Sequence, residues 1–360
     1  VVAMNWRAEM TRWAMMIAAF AALAMIMTLF RGAFDPKSFR DMLMFATFIM
    51  LGMLVPPPQL QRFLVGMQAL ILLVMLFEVL QPEAYSALVN TKSYFMNSRG
   101  FTAEQLQGDL DLFGAIRADE RYFLPFLGWN RASSLFLEPL SLGAYAAFAA
   151  LALQLFWRDW SPAVRGFMLV SATVILVGSD SRFAGATIVV LLVAAPVLRR
   201  MSVMLSALIL PLAIIGARLV SQALAWNPLE DNFTGRIARG MKRLFMLDTS
   251  ELLGFAVPTP ALADSGIAYL VMAQSLLGVV MLQLFLYLQP QVHDGRARLA
   301  LNGTALSFTL AILISISMLS IKTAGFYWLL VGAFLAVGQR RPPVAPPTAA
   351  RPVRSAAPHS

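Results

Sequence analysis

Apolar runs of membrane-crossing length recur along almost the whole of this chain, and that recurrence limits what it can fold into more than any other feature. A hydrocarbon core of about 30 Å takes roughly 20 apolar residues in a helix, whose backbone amides must all be satisfied within the segment. Such runs read as Trp13 to Phe30, Met42 to Val55, Phe63 to Leu80, Leu135 to Phe156, Val164 to Val177, Phe183 to Leu198, Ser202 to Ala225, Ile267 to Leu288, Leu299 to Ile321 and Ala324 to Val337. They predict an all-α polytopic membrane protein with about 10 transmembrane helices. A hydrophobic fraction of 59%, a charged fraction of 13% and a mean hydropathy of +0.71 lie outside the range of a water-soluble domain. The second, fifth, sixth and tenth runs are short for a full crossing, which points to a broken or re-entrant helix around Gly178 to Arg182.

Composition also removes several kinds of chemistry. The chain has no cysteine, so disulfides, thiolate metal sites and cysteine nucleophiles are excluded. Its two histidines, His293 and His359, are too few for a histidine-rich metal site, and neither metal nor cofactor is expected. The net charge of +9 is spread over loops and tail with no basic run interleaved with aromatics, which speaks for anionic lipid and against nucleic acid.

Polar segments divide the chain. Residues 1–338 read as one transmembrane domain with two long loops, Gln81 to Ser134 and Asn227 to Asp264, followed by a disordered Pro/Ala/Arg-rich tail over 339–360. The start VVAMNWR carries no cleavable-signal pattern, and the first run follows Arg12 directly, as in a signal anchor. With the N-terminus cytoplasmic, that side collects Arg7, Arg12, Arg62, Arg158, Arg165, Arg199, Arg200, Arg296, Arg298 and the arginines of the tail. The other side holds Arg31, Lys37, Arg40, Arg182 and Lys322. The bias puts both termini in the cytoplasm and both long loops outside, the first hairpin being the exception.

The outer segments carry the candidate chemistry. At about 100° per residue, Arg236, Arg239 and Arg243 share one arc of a helix after Thr234, with Lys242 beside them and Ile237, Met241, Leu244 and Phe245 opposite. Asn232 or Thr234 can cap its first turn, and Gly235 permits a close entry of the chain. The plain alternative is a surface helix whose arginines meet lipid phosphates. Arg131 precedes Glu138, which opens a run just before Pro139, either as a capped helix start or as a functional carboxylate. Asp180 and Arg182 stand between two apolar runs, as a site or as a tight turn pinned by a local ion pair. Asp264 opens the eighth run and suits an N-cap as well as a base. Arginine presents a fixed fork of donors that matches phosphate, so three arginine-bearing segments with nearby carboxylates suggest group transfer from a phosphate-bearing lipid. Tyr122 and Trp129 in the first long loop are the aromatics suited to glycan contact.

Motif order then gives a resemblance. The sequence runs from Arg131 through Glu138 and Pro139 to Ser-Asp-Ser-Arg at Ser179 to Arg182 and Thr-Gly-Arg at Thr234 to Arg236. Leu-Leu-Gly follows at Leu252 to Gly254, then Asp-Ser-Gly-x-x-Tyr-Leu at Asp264 to Leu270, leading into a span with Gly278. This resembles the bacterial O-antigen ligase and Wzy-type polysaccharide polymerase family, over roughly Asn130 to Leu288. The resemblance implies a GT-C-like glycosyltransferase of the bacterial inner membrane. Its partners would be undecaprenyl-diphosphate-linked oligosaccharide donor and acceptor, membrane lipids, and a chain-length regulator and flippase of the same pathway. By motif position it implies that Arg131, Arg182 and Arg236 hold the donor diphosphate; Arg239 and Arg243 join them only through the shared helix face. Ligases of the family carry a histidine near the start of the span that here follows Asp264, and this chain has none there. That departure points to a polymerase with Asp264, or failing it Glu138, as the base. The alternatives are ligation to a lipid A core, a transporter or flippase for a lipid-linked anion, and a non-catalytic assembly subunit.

Overall fold

A computed structural model describes residues 2–99, 131–230, 232–257, 265–288, 290, 292 and 294–339. Among the described residues the secondary structure is helical throughout. Three helices open the chain: α1 (Val2–Arg31), α2 (Pro36–Leu54) and α3 (Pro57–Leu80). Two short ones follow, α4 (Pro82–Leu88) and α5 (Thr91–Arg99). The central group comprises α6 (Pro139–Phe156), α7 (Pro162–Ser179), α8 (Arg182–Arg200), α9 (Val203–Ser206) and α10 (Ile209–Ala223). The last group comprises α11 (Phe233–Phe245), α12 (Thr249–Leu252), α13 (Gly266–Gln283), α14 (Gly295–Ile312) and α15 (Ile321–Gln339).

All ten apolar runs are helical, and most are longer than hydropathy alone draws them. The extra turns come from caps. Proline, whose missing N–H is no loss in a first turn, opens α2, α3, α4, α6 and α7. Asp35 accepts from the amides of Lys37 and Ser38, so α2 starts at Pro36, six residues before its apolar run. Ser161, Ser181, Asn232 and Asp294 cap α7, α8, α11 and α14 in the same way.

Among the described residues, seven helices are long and apolar enough to cross a membrane: α1 from Ala8, α3, α6, α7, α8, the α9–α10 pair, and α13 with the π-turn that extends it to Leu288. A shorter apolar helix covers Ile321–Val337. The other two runs fall in helices with polar content. Lys37, Arg40 and Asp41 lie in the first turns of α2, and α14 opens with Arg296 and Arg298 and buries Asn302.

Packing follows the logic of small residues and shared hydrogen bonds rather than of oil against water. α6, whose middle reads Gly143-Ala-Tyr-Ala-Ala-Phe-Ala-Ala-Leu-Ala152, is buried along nearly its whole length, with α7 and α8 against it. A Cβ on Gly143 would lie 2.4 Å from the Ser181 Cβ. The tightest crossing joins α2 to α15. A Cβ on Gly52 would stand 2.0 Å from the Leu329 carbonyl oxygen, and one on Gly332 equally close to that of Ile49. Polar side chains lock other pairs. Gln68 of α3 donates to Ser171 of α7 at 2.8 Å and accepts from the Tyr145 hydroxyl of α6 at 2.9 Å. Asn302 of α14 donates to the Leu198 and Met201 carbonyls and accepts from Ser206. Val193, Val197, Leu212 and Leu219 stay well exposed, as expected of side chains that meet lipid.

The helix break expected around Gly178 to Arg182 is not there. That stretch is a two-residue turn between α7 and α8, with Asp180 in the left-handed region at φ 45°. The break is in α13, at Ser275 with φ 65° and ψ 164°, a conformation that costs a non-glycine residue about 1–3 kcal/mol. Tyr269 faces Asp41, Gln274 donates to the Ser38 carbonyl, and Gly278 lies against Leu23 and Phe20. The piece before Ser275 therefore runs antiparallel to α2 and the piece after it antiparallel to α1.

Candidate functional site

The polar residues meet where α3, α7 and α14 finish and α6, α8 and α15 begin. The segment 131–138 is the hub. Ala132 donates its amide to the Gly178 carbonyl at 2.8 Å, and the Arg131 Nε reaches the Ser179 carbonyl at 3.3 Å. Glu78, buried in the last turns of α3, accepts from the amides of Ser133 and Ser134 and from the Ser133 hydroxyl, at 2.5 to 3.0 Å. Those bonds hold a turn in which Ser134 and Leu137 both have positive φ, 49° and 60°. The Tyr85 hydroxyl donates to the Ser134 carbonyl at 2.7 Å. Burial, reinforced by the Glu78 charge, pushes that phenol up to about 12, so it remains a donor at neutral pH.

Glu138 is the N-cap residue of α6, accepting from Ser141 at 2.8 Å and pairing with Lys322 of α15 at 3.3 Å. The same ammonium donates to the Phe136 carbonyl at 2.6 Å and lies 5.3 Å from the Tyr94 ring centre. Lys322, which charge counting treats as one loop cation among several, is thus the tie between α15 and the hub.

Arg182 stands exposed on the first turn of α8, next to Phe183, whose ring stacks on Phe233 at 6.2 Å between centroids. Phe233 begins α11, so motifs about fifty residues apart in sequence touch through these rings. α11 is the expected amphipathic helix. Asn232 caps it by accepting from the Gly235 amide at 2.7 Å. Gly235 is needed there, since a Cβ would sit 2.2 Å from the Glu230 carbonyl oxygen. Ile237 and Met241 are buried on the apolar face as expected, whereas Phe245 is exposed beneath Arg218, 4.9 Å from its ring centre. Arg236 is half-buried in the first turns. Arg239 and Arg243 share its arc yet have local duties: Arg239 donates to the carbonyls of Pro228 at 3.0 Å and Glu230 at 3.4 Å, and Arg243 pairs with Glu251 at 2.8 Å.

Asp264, Tyr122 and Trp129 lie outside the described residues. The residue after Asp264, Ser265, donates to the Gly240 carbonyl of α11 at 3.4 Å, and a Cβ on Gly266 would meet the Ser315 carbonyl oxygen at 2.2 Å. α13 therefore begins against α11 and against the turn that joins α14 to α15. The structure links Arg131, Asp180, Arg182, Glu138 and the first turn of α11 into one layer.

A second polar cluster occupies the tip of the α1–α2 hairpin, and sequence reasoning missed it. Arg31 donates to the Gly254 and Met272 carbonyls at 2.6 Å and to that of Ala273 at 3.1 Å, filling acceptors freed by the break at Ser275. Arg40 pairs with Asp41 at 2.7 Å, and Lys37 lies 5.0 Å from the Tyr269 ring centre. The basic residues that oppose the charge bias at the first hairpin include one, Arg31, that serves a broken helix instead of a loop. Among the described residues, no three or more His, Asp and Glu side chains are grouped to hold a metal ion.

Fold and layer define a multi-pass helical membrane protein with a polar, arginine-bearing surface at one end of its bundle. No family model, curated protein or solved structure matches the chain.

Proposed function

We propose that this chain is a glycan polymerase that joins polyprenyl-diphosphate-linked oligosaccharide repeat units at the outer face of a bacterial inner membrane. The observation that carries the reading is that motifs separated in sequence dock on one another in a chain of contacts. Arg131 meets Ser179, Phe183 meets Phe233, and Ser265 meets Gly240. In this reading α2, α14 and α15 cross the membrane with the seven apolar helices, making ten crossings with both termini cytoplasmic. Tight packing of α15 on α2 and the buried polar bonds of Asn302 support that count.

The donor diphosphate lies among the guanidinium groups of Arg131, Arg182 and Arg236, beside the N-termini of α8 and α11, whose amide dipoles favour an anion. An acceptor sugar hydroxyl attacks the anomeric carbon from the face opposite the diphosphate. The new C–O bond forms as the anomeric carbon's bond to the diphosphate oxygen breaks, with inversion. The bonding pair leaves on that oxygen, where the arginines offset the charge, and the hydroxyl proton passes to Asp264. Glu138, already paired with Lys322, is the less available base.

Purified protein in proteoliposomes, given the lipid-linked repeat unit, is expected to yield a ladder of longer glycans. Arg236→Ala and Asp264→Asn are expected to abolish the ladder at unchanged protein level, and Arg236→Lys to restore part of it. A full ladder from either loss variant removes that residue from the mechanism, and none from the wild type removes the reading. The broken α13 favours a second reading, a flippase for the same lipid. That protein would move the repeat unit across the proteoliposome membrane and leave its length unchanged.

A further inference from the structure

The opposite end of the bundle holds a feature that polymerisation does not use. Between α7 and α8, over α6, lies a cavity of about 690 Å³, within the range of small-ligand sites. Its floor and walls are apolar, with Leu153 from α6, Leu176 from α7 and Leu192 from α8. Leu192 is 54% exposed, so the cavity opens on the surface that faces lipid. Its rim is different. Trp157 and Arg158 follow the end of α6, and Arg199 closes the last turn of α8.

Two polar groups there make no hydrogen bond among the described residues. The Gln154 amide, which lines the cavity, has both its nitrogen and its oxygen buried without a hydrogen-bond partner. Such a group costs about 1–3 kcal/mol unless something pairs with it. The Arg158 guanidinium is exposed and makes no hydrogen bond or ion pair among the described residues. Arg199 uses one nitrogen on the main-chain carbonyl of Gln154, at a long 3.4 Å. Arg296, also on the rim, is already paired with Asp159 at 2.6 Å. Apolar walls, a buried unpaired amide and two cations beside an indole are arranged as an acyl chain, a glycerol ester and a phosphate are arranged in a lipid.

We propose that this groove holds one anionic glycerophospholipid. Its acyl chains would lie between α7 and α8, its ester and glycerol oxygens against Gln154, and its phosphate on Arg158 and Arg199. The inference stands independently of the glycan reading.

The test uses the full chain in phosphatidylcholine nanodiscs carrying a minor fraction of brominated lipid, with Trp157 fluorescence taken as wild type minus Trp157→Phe. Brominated phosphatidylglycerol is expected to quench Trp157 at several-fold lower content than brominated phosphatidylcholine. Arg158→Gln and Arg199→Gln should each weaken that preference about fivefold. Gln154→Leu should weaken quenching by both lipids, and Leu176→Trp, which fills the groove, should abolish the preference. Arg158 is exposed and makes no hydrogen bond or ion pair among the described residues, so its variant is expected to retain the fold. Equal quenching by the two lipids, full preference in Leu176→Trp, or displacement of the brominated lipid by a polyprenyl diphosphate at equal content would each overturn the proposal.

Discussion

Arginine and lysine are held differently at the two ends of this bundle. At the end where α6 and α8 begin, Arg131 reaches a helix-terminal carbonyl, Lys322 ties a carboxylate and a carbonyl together, and Arg31 fills the acceptors of a broken helix. At the end where α6 and α8 finish, Arg158 and Arg199 rim an apolar groove beside an unpaired amide. The first arrangement bonds its cations to buried backbone; in the second, Arg199 makes one long bond to a main-chain carbonyl, and Arg158 makes no hydrogen bond or ion pair among the described residues. The same residue type therefore binds buried backbone at the first end, where Arg182 alone of the motif arginines stands exposed, and lines an apolar groove at the other. What separates the two is how deeply the irregular backbone is buried, since buried carbonyls and amides must find partners within the protein.

Substitutions can break the contrast, and the largest effect is expected at Glu78. Glu78→Ala leaves two amides and a hydroxyl without their acceptor and should lower stability by about 3 kcal/mol or more in detergent thermal unfolding. Glu78→Gln retains a carbonyl acceptor and should cost visibly less. Removing Lys322, by Lys322→Met, takes the ammonium from the Phe136 carbonyl and from the Glu138 carboxylate. About 1–2 kcal/mol is expected in the same assay. Tyr85→Phe removes one buried hydrogen bond, worth about 1 kcal/mol.

Tyr85 also sets a pH dependence. Its folded value is raised from 10.0 to about 12, so the protonated phenol contributes fully below pH 10 and its contribution fades as pH rises toward 12. The alkaline loss of stability should therefore shrink in Tyr85→Phe. Least of all should follow from Arg158→Gln, within about 0.5 kcal/mol of wild type. A large loss there would mean the groove end is wired like the other and would erase the distinction.

What the sequence reveals and conceals follows from the range of the interactions. The apolar runs, the proline and Asp/Ser/Asn helix starts and the amphipathic α11 are local patterns, and they are legible without coordinates. Glu78 is not, because it sits in an apolar run and its acceptor role depends on amides 55 residues away. Lys322 meets Phe136 across 186 residues, and Arg31 meets Gly254 across 223, so neither contact leaves a trace in spacing. The break in α13 is equally silent. Ser275 looks like an ordinary helix residue, and its strained backbone is accompanied by distant contacts. Arg31 fills the freed carbonyls, and Gly254, at φ 75°, comes within 3.0 Å of the Ser275 amide when given a Cβ. The local bonds of the arginines on the α11 arc are equally invisible to the helix-face pattern: Arg239 donates to Pro228 and Glu230, and Arg243 pairs with Glu251.

The most direct trial of the account is equilibrium binding of a polyprenyl diphosphate to the purified full chain and to its single-arginine variants. Arg131→Ala, Arg182→Ala and Arg236→Ala should each weaken binding about tenfold or more, as expected for the loss of a charge-assisted hydrogen bond, while Arg158→Gln leaves it unchanged. Wild-type affinity in all three alanine variants, or a loss confined to Arg158→Gln, would contradict it.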